Sequence, residues 1–381
     1  MDRRKFLAIS ALGVATAAVG PMVPAANAAQ AFKPSRKEKA AGDYSIVILG
    51  DTHFDTEPAS VYHSDYNEPV EWLNRVQRAE WKRNGEMWRE KCPRIVKRAA
   101  ELVDQNTRMA FQMGDLIQGD CGNPEVHKKM LDDVMNYFKS NLGGLPFVTV
   151  CGNHDIRGTK AGEAYNEYMP ERMSQELGKK IQKTTFAFTI GPDAYIFVDF
   201  DRPDVAEIEK LLKETEGARY TFVVTHGPAL PYDTNACRWI LLGAEKYTDQ
   251  RRRFRELFAK RDVIVLCGHT HRVELADWFG DGGRITQMTM NSVWYRDGLE
   301  KLSVESRGAD QYGVLRRGGR NDDGTPVKDE EALFQEYRSG LKRYYRAEGA
   351  GSFKMNVSEH GIVIDFYGAG SEEITESFVL R

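Results

Sequence analysis

Five short apolar segments each run directly into a potential metal ligand, and this repetition constrains the fold more than any other feature of the sequence. The segments, at 45–49, 109–113, 146–150, 220–224 and 262–267, have the composition of short buried strands. They end in the motifs Gly50-Asp51-Thr52-His53, Gly114-Asp115, Gly152-Asn153-His154-Asp155, Thr225-His226-Gly227 and Gly268-His269-Thr270-His271. Five of the eight histidines lie in these motifs, which is not a random scatter.

The polar side chains of these motifs are suited to binding metal ions. In an open α/β sheet the ligand crevice lies at the strand ends, so the motifs are expected to meet there. A buried cluster of amide, imidazole and carboxylate groups is unfavourable unless something pairs with it, and a metal ion is the simplest partner. The donors are oxygen and imidazole nitrogen, with no thiolate pattern, which suits zinc, manganese or iron.

Asp115 could bridge two ions, because a carboxylate has two oxygens. Residues two apart share one face of an extended chain, and this spacing occurs in Asp51 with His53 and again in His269 with His271. The candidate ligands then divide into two sets that flank Asp115. One set is Asp51, His53 and His271, and the other is Asn153, His226 and His269.

The order of the five motifs resembles that of the calcineurin-like metallophosphoesterase family, over roughly residues 46–291. The resemblance implies an α/β fold of two packed mixed β-sheets flanked by helices, an αββα sandwich. It places a dinuclear site of divalent or mixed-valence ions on the seven residues named above. It also implies that His154 contacts the phosphate or protonates the leaving group, with Asp155 orienting it. Purple acid phosphatases have a tyrosine ligand where this chain has Gln118, and they lack the histidine found here at His53, so their tyrosinate–iron site is not expected.

A site of this kind predicts hydrolysis of a small phosphate ester. Two ions supply a hydroxide at neutral pH and clamp the attacking and leaving oxygens of an in-line displacement at phosphorus. Asn153 and Arg157 are candidates for contacting the substrate, although a surface salt bridge is an equal alternative for Arg157. A monoesterase and a phosphodiesterase both remain open. A different metallohydrolase and a non-catalytic metal-binding protein are weaker alternatives, because the motif of the metallo-β-lactamase type is absent and every ligand is present.

The N-terminus has the three parts of an export signal. Arg3-Arg4-Lys5-Phe6-Leu7 matches a twin-arginine motif, an apolar stretch follows through Val23, and Ala26-Asn27-Ala28 is a small-x-small cleavage site. We expect residues 1–28 to be a signal peptide handled by the twin-arginine translocation machinery, and the protein to be periplasmic or otherwise extracytoplasmic. An uncleaved anchor or a chance basic start is the alternative. No other apolar run is long enough to span a bilayer.

The rest of the chain, 44–381, is expected to form one domain with a C-terminal extension after about residue 296. The net charge of the full chain, −3, gives no overall field for nucleic acid. Strands alternate with helices at about 81–105, 124–142, 205–216 and 248–261, which favours an α/β core. The pattern also predicts a hairpin at 185–199, strands at 284–290, 352–357 and 362–367, and a helix at about 330–346.

Several further residues carry expectations of their own. His127 is expected on the surface of its helix. Residues of the loop at 61–71 and of the segment after the last motif are candidates for reaching the substrate, with simple packing as the alternative: Tyr62, His63, Tyr66, Asn291, Trp294 and Tyr295. Cys151 and Cys267 are expected to be buried thiols. One disulfide among Cys92, Cys121 and Cys237 is left open.

Overall fold

Two mixed β-sheets form the centre of the structure, a computed structural model that describes residues 43–56, 62–67, 69–231, 240–294, 301–312 and 331–381. The strands, in chain order, are β1 (Tyr44–Leu49), β2 (Thr107–Gln112), β3 (Phe147–Thr149), β4 (Phe186–Ile190), β5 (Asp193–Val198), β6 (Thr221–Thr225), β7 (Val263–Cys267), β8 (Val273–Gly280), β9 (Gly283–Thr289), β10 (Ser303–Arg307), β11 (Leu341–Glu348), β12 (Gly351–Ser358), β13 (Gly361–Gly368) and β14 (Glu376–Val379). The helices are α1 (Glu71–Glu101), α2 (Pro124–Asn141), α3 (Ala161–Leu177), α4 (Val205–Glu214), α5 (Thr248–Lys260) and α6 (Glu331–Arg338).

The first sheet has six strands in the order β14-β13-β12-β1-β2-β3, and the second has eight in the order β10-β11-β8-β9-β7-β6-β5-β4. In the first sheet β1 pairs in parallel with β2, and β2 pairs in parallel with β3. In the second sheet β5, β6, β7 and β9 form a parallel run. Each parallel run continues into antiparallel strands, so both sheets are mixed. Three of the five ligand motifs follow β1, β6 and β7 directly, whereas Gly114-Asp115 begins two residues after β2 and the Gly152–Asp155 turn three residues after β3.

Aromatic side chains pack the two sheets against each other. The ring of Phe111 in β2 lies 5.3 Å from the ring of Tyr195 and 5.2 Å from that of Phe197, both in β5. The hydroxyls of Tyr44 and Tyr195 are 2.6 Å apart and also join the sheets. Helices α1, α2 and α3 pack on the side of the first sheet, and α4 and α5 on the side of the second. The prediction of two packed mixed sheets flanked by helices is therefore confirmed.

Two helices begin where their sequences carry capping residues. Asn123 precedes α2, and its side-chain oxygen accepts a hydrogen bond from the N–H of Val126, with Pro124 in the first helical position. Asp204 caps α4 in the same way by accepting from the N–H groups of Ala206 and Glu207. Such caps satisfy amide groups that have no partner within the helix. They fix two of the helices that the sequence predicts.

The described strands that follow residue 296 belong to both sheets. Strand β12 pairs antiparallel with β1, and β11 pairs antiparallel with β8. The predicted C-terminal extension therefore continues the same two sheets that carry the ligand motifs. No helix in the described ranges has the combination of length and apolar character that crossing a bilayer requires. The predicted signal peptide, residues 1–28, lies outside the described residues.

One predicted element is wrong in type. Instead of a helix at about 330–346, α6 ends at Arg338, and residues 341–348 form strand β11. The side chains of Tyr344 and Tyr345 stand opposite Ala276 and Leu275 of β8, so cross-strand packing decides the local structure. Helix α3 and strand β8 have no counterpart among the sequence predictions, and α1 begins ten residues before the predicted start at about 81. The predicted hairpin is confirmed as β4 and β5.

The cysteines that the structure describes are all buried and free. They are Cys92, Cys121, Cys151 and Cys267. The prediction of buried thiols is confirmed for Cys151 and Cys267, and burial raises the pKa of both. Cys237 lies outside the described residues.

Candidate metal centre

The five ligand motifs meet where the carboxyl ends of the two parallel runs face each other. Potential ligand atoms form two groups, and within each group all atoms lie within 4.8 Å of one another. The first group is Asp51, His53, Asp115 and His271, and the second is Asp115, His226 and His269. Asp115 belongs to both groups. This is the division inferred from the sequence, with Asn153 added to the second group by the contact described below.

In the first group, Nε2 of His271 lies 3.1 Å from Oδ2 of Asp51 and also 3.1 Å from Nε2 of His53. Nε2 of His53 is 3.7 Å from Oδ2 of Asp115. Asp51, His53 and Asp115 are buried, whereas the side chain of His271 is 27% exposed. The first group therefore opens to solvent on the side of His271.

In the second group, Nε2 of His226 lies 3.2 Å from Oδ2 of Asp115 and 3.0 Å from Nδ1 of His269. The same Nε2 is 3.1 Å from the side-chain oxygen of Asn153. The structure thus brings all seven sequence-predicted ligands together. Which of them bind an ion remains a prediction.

The backbone at the ligands is unusual. His53, Asp115, His269 and His271 all have positive φ, at 46°, 50°, 71° and 51°. Non-glycine residues rarely adopt this left-handed conformation, and such strain concentrates at functional sites. The turn at Gly152 needs a glycine for a different reason, because a Cβ there would collide with the backbone N and the Oδ1 of Asp115. The ligands are therefore held by conformations that the surrounding sheets must enforce.

The electrostatics of the cluster favour the metal-binding protonation states of His53, His269 and Asp115, whereas they favour the protonated form of His226. Burial lowers the pKa of His53 and His269 well below the ordinary value, so both imidazoles are neutral. Burial raises the pKa of Asp115, but the neighbouring His226 and His154 outweigh it and hold the pKa well below its usual range. Burial lowers the pKa of His226, yet the adjacent Asp115 carboxylate brings it to about 9. Neutral imidazoles and an ionised carboxylate are the donors that a divalent ion needs, and an ion would displace the proton of His226.

Backbone groups fix the orientation of the ligands. Nδ1–H of His226 donates to the carbonyl oxygen of Met113 at 2.8 Å, which directs Nε2 into the site. The backbone N–H of His269 donates to both oxygens of Asp51, at 3.1 and 2.9 Å. Partners of this kind set the tautomer and the direction of a ligand. The residues present therefore fit a two-ion site, with Asp115 placed to be shared.

Gln112 ties three of the motif-bearing strands together, and the sequence analysis did not identify it. Its amide group donates to the carbonyl oxygens of Gly50 and Gly114, at 3.1 and 2.7 Å. Its oxygen accepts from the N–H of Gly114 at 2.9 Å and from the hydroxyl of Thr149 at 2.5 Å. This buried amide satisfies its hydrogen bonds entirely with the segments that present the ligands. A lone glutamine at the end of an apolar strand was the only signal in the sequence.

His154 stands beside the cluster and is held from two directions. Its backbone N–H donates to Oδ1 of Asp115 at 2.7 Å, and its Nδ1 lies 3.0 Å from the carbonyl oxygen of Gln118. The ring is 4.4 Å from the ring of His53, edge to face. Because a carbonyl oxygen only accepts, Nδ1 carries the proton of the neutral ring, and Nε2 is the unprotonated nitrogen.

Asp155 acts on the turn rather than on the ring of His154. Its carboxylate accepts from the backbone N–H of Ile117 at 3.0 Å and from that of Gly152 at 2.8 Å. Burial, followed by repulsion from Asp115, raises the pKa of Asp155 to about 7. The carboxylate therefore shapes the loop that presents Asn153 and His154.

Arg157 is more enclosed than a surface arginine, and its donors are largely used within the protein. Its Nε donates to Oδ1 of Asp120 at 2.8 Å, and Nη2 donates to Glu80 at 2.8 Å and to Oδ2 of Asp120 at 2.5 Å. Nη1 lies 3.3 Å from Nε2 of His154. The guanidinium thus reaches the site through His154. Its predicted contact with substrate remains a prediction.

The expectation that His127 lies on the surface is wrong. His127 is fully buried in α2, and its Nε2–H donates to the backbone carbonyl of Asp155 at 2.8 Å. Burial lowers the pKa of His127 to about 4. Through this hydrogen bond His127 stabilises the Gly152–Asp155 turn. The helical pattern of the sequence alone does not show this long-range contact.

The loop candidates for substrate contact have internal partners. The hydroxyl of Tyr62 donates to Asp133 at 2.5 Å, and His63 lies between Asp55 and the carbonyl oxygen of Asp120. The hydroxyl of Tyr66 accepts from Gln77. These contacts favour the packing alternative for the loop.

Unlike the loop residues, Trp294 in the segment after the last motif contacts a candidate ligand. The ring of Trp294 stacks on that of His271, with centroids 4.8 Å apart. Asn291 holds this segment by donating to the carbonyl oxygen of Trp294 at 2.5 Å. Trp294 is therefore next to the candidate metal centre. Tyr295 lies outside the described residues.

Comparison with solved structures gives distant similarities. GAP50, the anchor in the inner membrane complex of Plasmodium, is 13% identical, with a TM-score of 0.47 and coverage of 90% of this chain and 89% of that one. PhoD is 11% identical, with a TM-score of 0.49 and coverage of 89% and 69%. A dimetal phosphatase from Danio rerio is 11% identical, with a TM-score of 0.47 and coverage of 89% and 98%.

The sequence of the chain also matches a known protein family. No curated protein matches the chain. The family whose sequence model matches it is described as calcineurin-like phosphoesterase, and the match covers residues 44–273, more than half of the chain. The match includes all five ligand motifs and confirms the prediction of a metal-dependent phosphoesterase at the level of the family. This chain belongs to the calcineurin-like phosphoesterase family.

Proposed function

We propose that the protein hydrolyses small phosphate esters at a centre of two divalent metal ions, with manganese, zinc and iron as candidates. The observation that carries the proposal is the position of Asp115 in two ligand groups, each of which is completed by imidazoles. A single structural ion would not require a carboxylate shared in this way. Attack on phosphorus in line with the leaving oxygen is the mechanism that such a centre favours.

Two bound divalent cations would lower the pKa of water and neutralise charge on the phosphoryl oxygens. The candidate ligands divide between the two ions. Asp51, His53 and His271 would hold one ion, Asn153, His226 and His269 the other, and Asp115 both. Asn153 is half-buried and is also proposed to contact the substrate.

His154 is proposed to act on the leaving oxygen. Its proton on Nδ1 is engaged by the Gln118 carbonyl, so Nε2 is the nitrogen that can hold or transfer a proton. Nη1 of Arg157 faces that Nε2, and Asp155 keeps the turn in place. Each of these contacts limits the positions that the His154 ring can adopt.

The test is metal analysis combined with hydrolysis of 4-nitrophenyl phosphate and bis(4-nitrophenyl) phosphate after reconstitution with Mn²⁺ or Zn²⁺. We expect two ions per chain and turnover of at least one ester, and the preferred ester distinguishes a monoesterase from a diesterase. The Asp249→Asn variant, which removes an exposed carboxylate from α5, is the matched control for Asp115→Asn. A reconstituted protein that binds no metal would overturn the proposal.

We also propose that the protein is exported by the twin-arginine route and acts outside the cytoplasm. The support is the sequence Arg3-Arg4 with the apolar stretch and the cleavage site that follow it. Cell fractionation of the wild type and of an Arg3→Lys, Arg4→Lys variant tests this location. Cytoplasmic retention of the variant and a mature N-terminus near Ala29 in the wild type are expected. Cytoplasmic wild-type protein would contradict the proposal.

A further inference from the structure

Helix α1 presents three polar residues to the candidate metal centre. Glu80, Arg83 and Asn84 have the spacing of neighbours on one helical face. Glu80 accepts from Arg157, and the amide of Asn84 donates to the side-chain oxygen of Gln118. The third residue, Arg83, extends in the direction of Trp294. One face of α1 therefore borders the site.

Arg83 contacts an aromatic ring that itself touches two predicted ligands. The guanidinium carbon of Arg83 is 4.9 Å from the centroid of the Trp294 ring. That ring stacks on His271, with an interplanar angle of 6°, and its centroid is 5.9 Å from that of His53. Trp294 therefore lies between Arg83 and the candidate ligands His53 and His271 and contacts all three.

The backbone of Trp294 is held by a hydrogen bond from Asn291, and its ring stacks on His271. The amide of Asn291 donates to the carbonyl oxygens of Trp294 and Gly349, at 2.5 and 2.7 Å. Asn291 is buried two residues after the end of β9, and it forms an isolated β-bridge with Asp51. The backbone position of Trp294 is therefore coupled to the first metal-ligand motif.

Arg83 and Arg157 differ in how much of their hydrogen-bonding capacity remains available. The side chain of Arg157 is 10% exposed and donates to Glu80 and Asp120. The side chain of Arg83 is 46% exposed, and Glu80 lies 3.9 Å away while giving its other oxygen to Arg157 at 2.8 Å. A loose contact with a shared carboxylate leaves the guanidinium of Arg83 able to bind an external anion.

We propose that Arg83 binds an anionic group of the substrate that lies beyond the scissile phosphate. The enzyme would then prefer phosphate esters whose leaving group carries a second negative charge, either a carboxylate or another phosphate. A guanidinium matches both groups with two parallel hydrogen bonds, and stacking on an aromatic ring preserves its orientation. The group is placed beyond the scissile phosphate because Arg83 contacts Trp294 and not a ligand. This inference rests on the proposed function.

Equilibrium binding provides a test that does not depend on turnover. Benzylphosphonate and 4-carboxybenzylphosphonate share a phosphonate that is not hydrolysed, and they differ only in the distal carboxylate. Calorimetry on the metal-loaded protein should show about fivefold tighter binding of the carboxylated compound, as one partly exposed ion pair would give. Arg83→Ala should remove this difference, and Arg83→Lys should keep part of it. Lys82→Ala, which removes the adjacent exposed cation of α1, should preserve it.

The kinetics of phenyl phosphate and 4-carboxyphenyl phosphate hydrolysis should show the same dependence on Arg83 as the binding measurements. Arg83→Ala should raise KM for the carboxylated ester and leave kcat for both esters close to that of the wild type. Equal affinity of the wild type for the two phosphonates, or an unchanged difference in Arg83→Ala, would overturn the assignment of Arg83 while leaving the proposed function intact. Failure of the metal-loaded wild type to bind either phosphonate would also overturn the assignment of Arg83, whereas the proposed function fails if the reconstituted protein binds no metal.

Discussion

The backbone N–H of His154 donates a 2.7 Å hydrogen bond to Oδ1 of Asp115. Oδ2 of the same carboxylate faces His226 at 3.2 Å and His53 at 3.7 Å. One side chain therefore connects the turn that carries the proposed acid with both groups of candidate ligands. Changes at Asp115 and at His154 should for this reason have different consequences.

Asp115→Asn should remove at least one ion and nearly all activity. The amide has one oxygen in place of two, and its nitrogen cannot bind a cation or accept from the N–H of His154. We expect kcat to fall about 100-fold or more, because an ion contributes several kcal/mol to the transition state. Metal analysis alongside kinetics checks this result. A variant that retains two ions and wild-type kcat would show that Asp115 is not shared.

His154→Ala should leave the metal content unchanged and slow the reaction. His154 lies beside the cluster, and its loss should reduce kcat by about 10²–10⁴-fold, the usual contribution of a general acid or base. The effect should be larger for an alkyl phosphate than for 4-nitrophenyl phosphate, because nitrophenolate leaves without protonation. A full rate with the alkyl ester would refute the role of His154 in acid catalysis.

Gln112→Met should destabilise the fold with little change in volume. The substitution leaves the buried amide of Gly114 and the carbonyl oxygens of Gly50 and Gly114 without their partner. We expect the free energy of unfolding to fall by about 2–4 kcal/mol, measured by urea denaturation. Gln250→Met on the exposed face of α5 is the control and should change stability by less than about 0.5 kcal/mol.

His127 should make stability depend on pH in the acidic range. Its pKa is about 4 in the folded protein, against an ordinary value of 6.5. The unfolded chain therefore binds more protons between these values, so the stabilisation is complete above pH 6.5 and is lost as pH falls towards 4. The loss should be about 2 kcal/mol by pH 5.

The His127→Gln variant isolates this effect, because its amide can still donate to the carbonyl oxygen of Asp155 but does not titrate. Unfolding free energies of both proteins at pH 7.5 and pH 5 give the comparison. The wild type should lose about 2 kcal/mol more than the variant over this interval. An equal loss in both proteins would contradict the assignment of the low pKa to His127.

Local sequence was sufficient for the ligand motifs, because each is a short apolar strand followed by a tight turn, and both features act over a few residues. The same reasoning missed α3 and β8 and assigned a helix to the residues of β11. Strand β11 exists because β8 offers it a partner, and β8 is more than sixty residues away in the chain. The surface position predicted for His127 was wrong for a related reason. The side chain is buried because the Gly152–Asp155 turn, which is distant in sequence, packs on it.

The sequence by itself determined the family, the strand-end positions of seven candidate ligands and their division about Asp115, because residue type, spacing and order express these directly. Only the tertiary structure decided what surrounds them. Folding engages Arg157 with Glu80 and Asp120, while it leaves Arg83 partly exposed beside Trp294. Arg83 lies within helix α1 and Arg157 follows the Gly152–Asp155 turn, and neither local sequence shows which partners the charge will have. Their different availability arises from long-range packing, which sets the partner and the exposure of each charge.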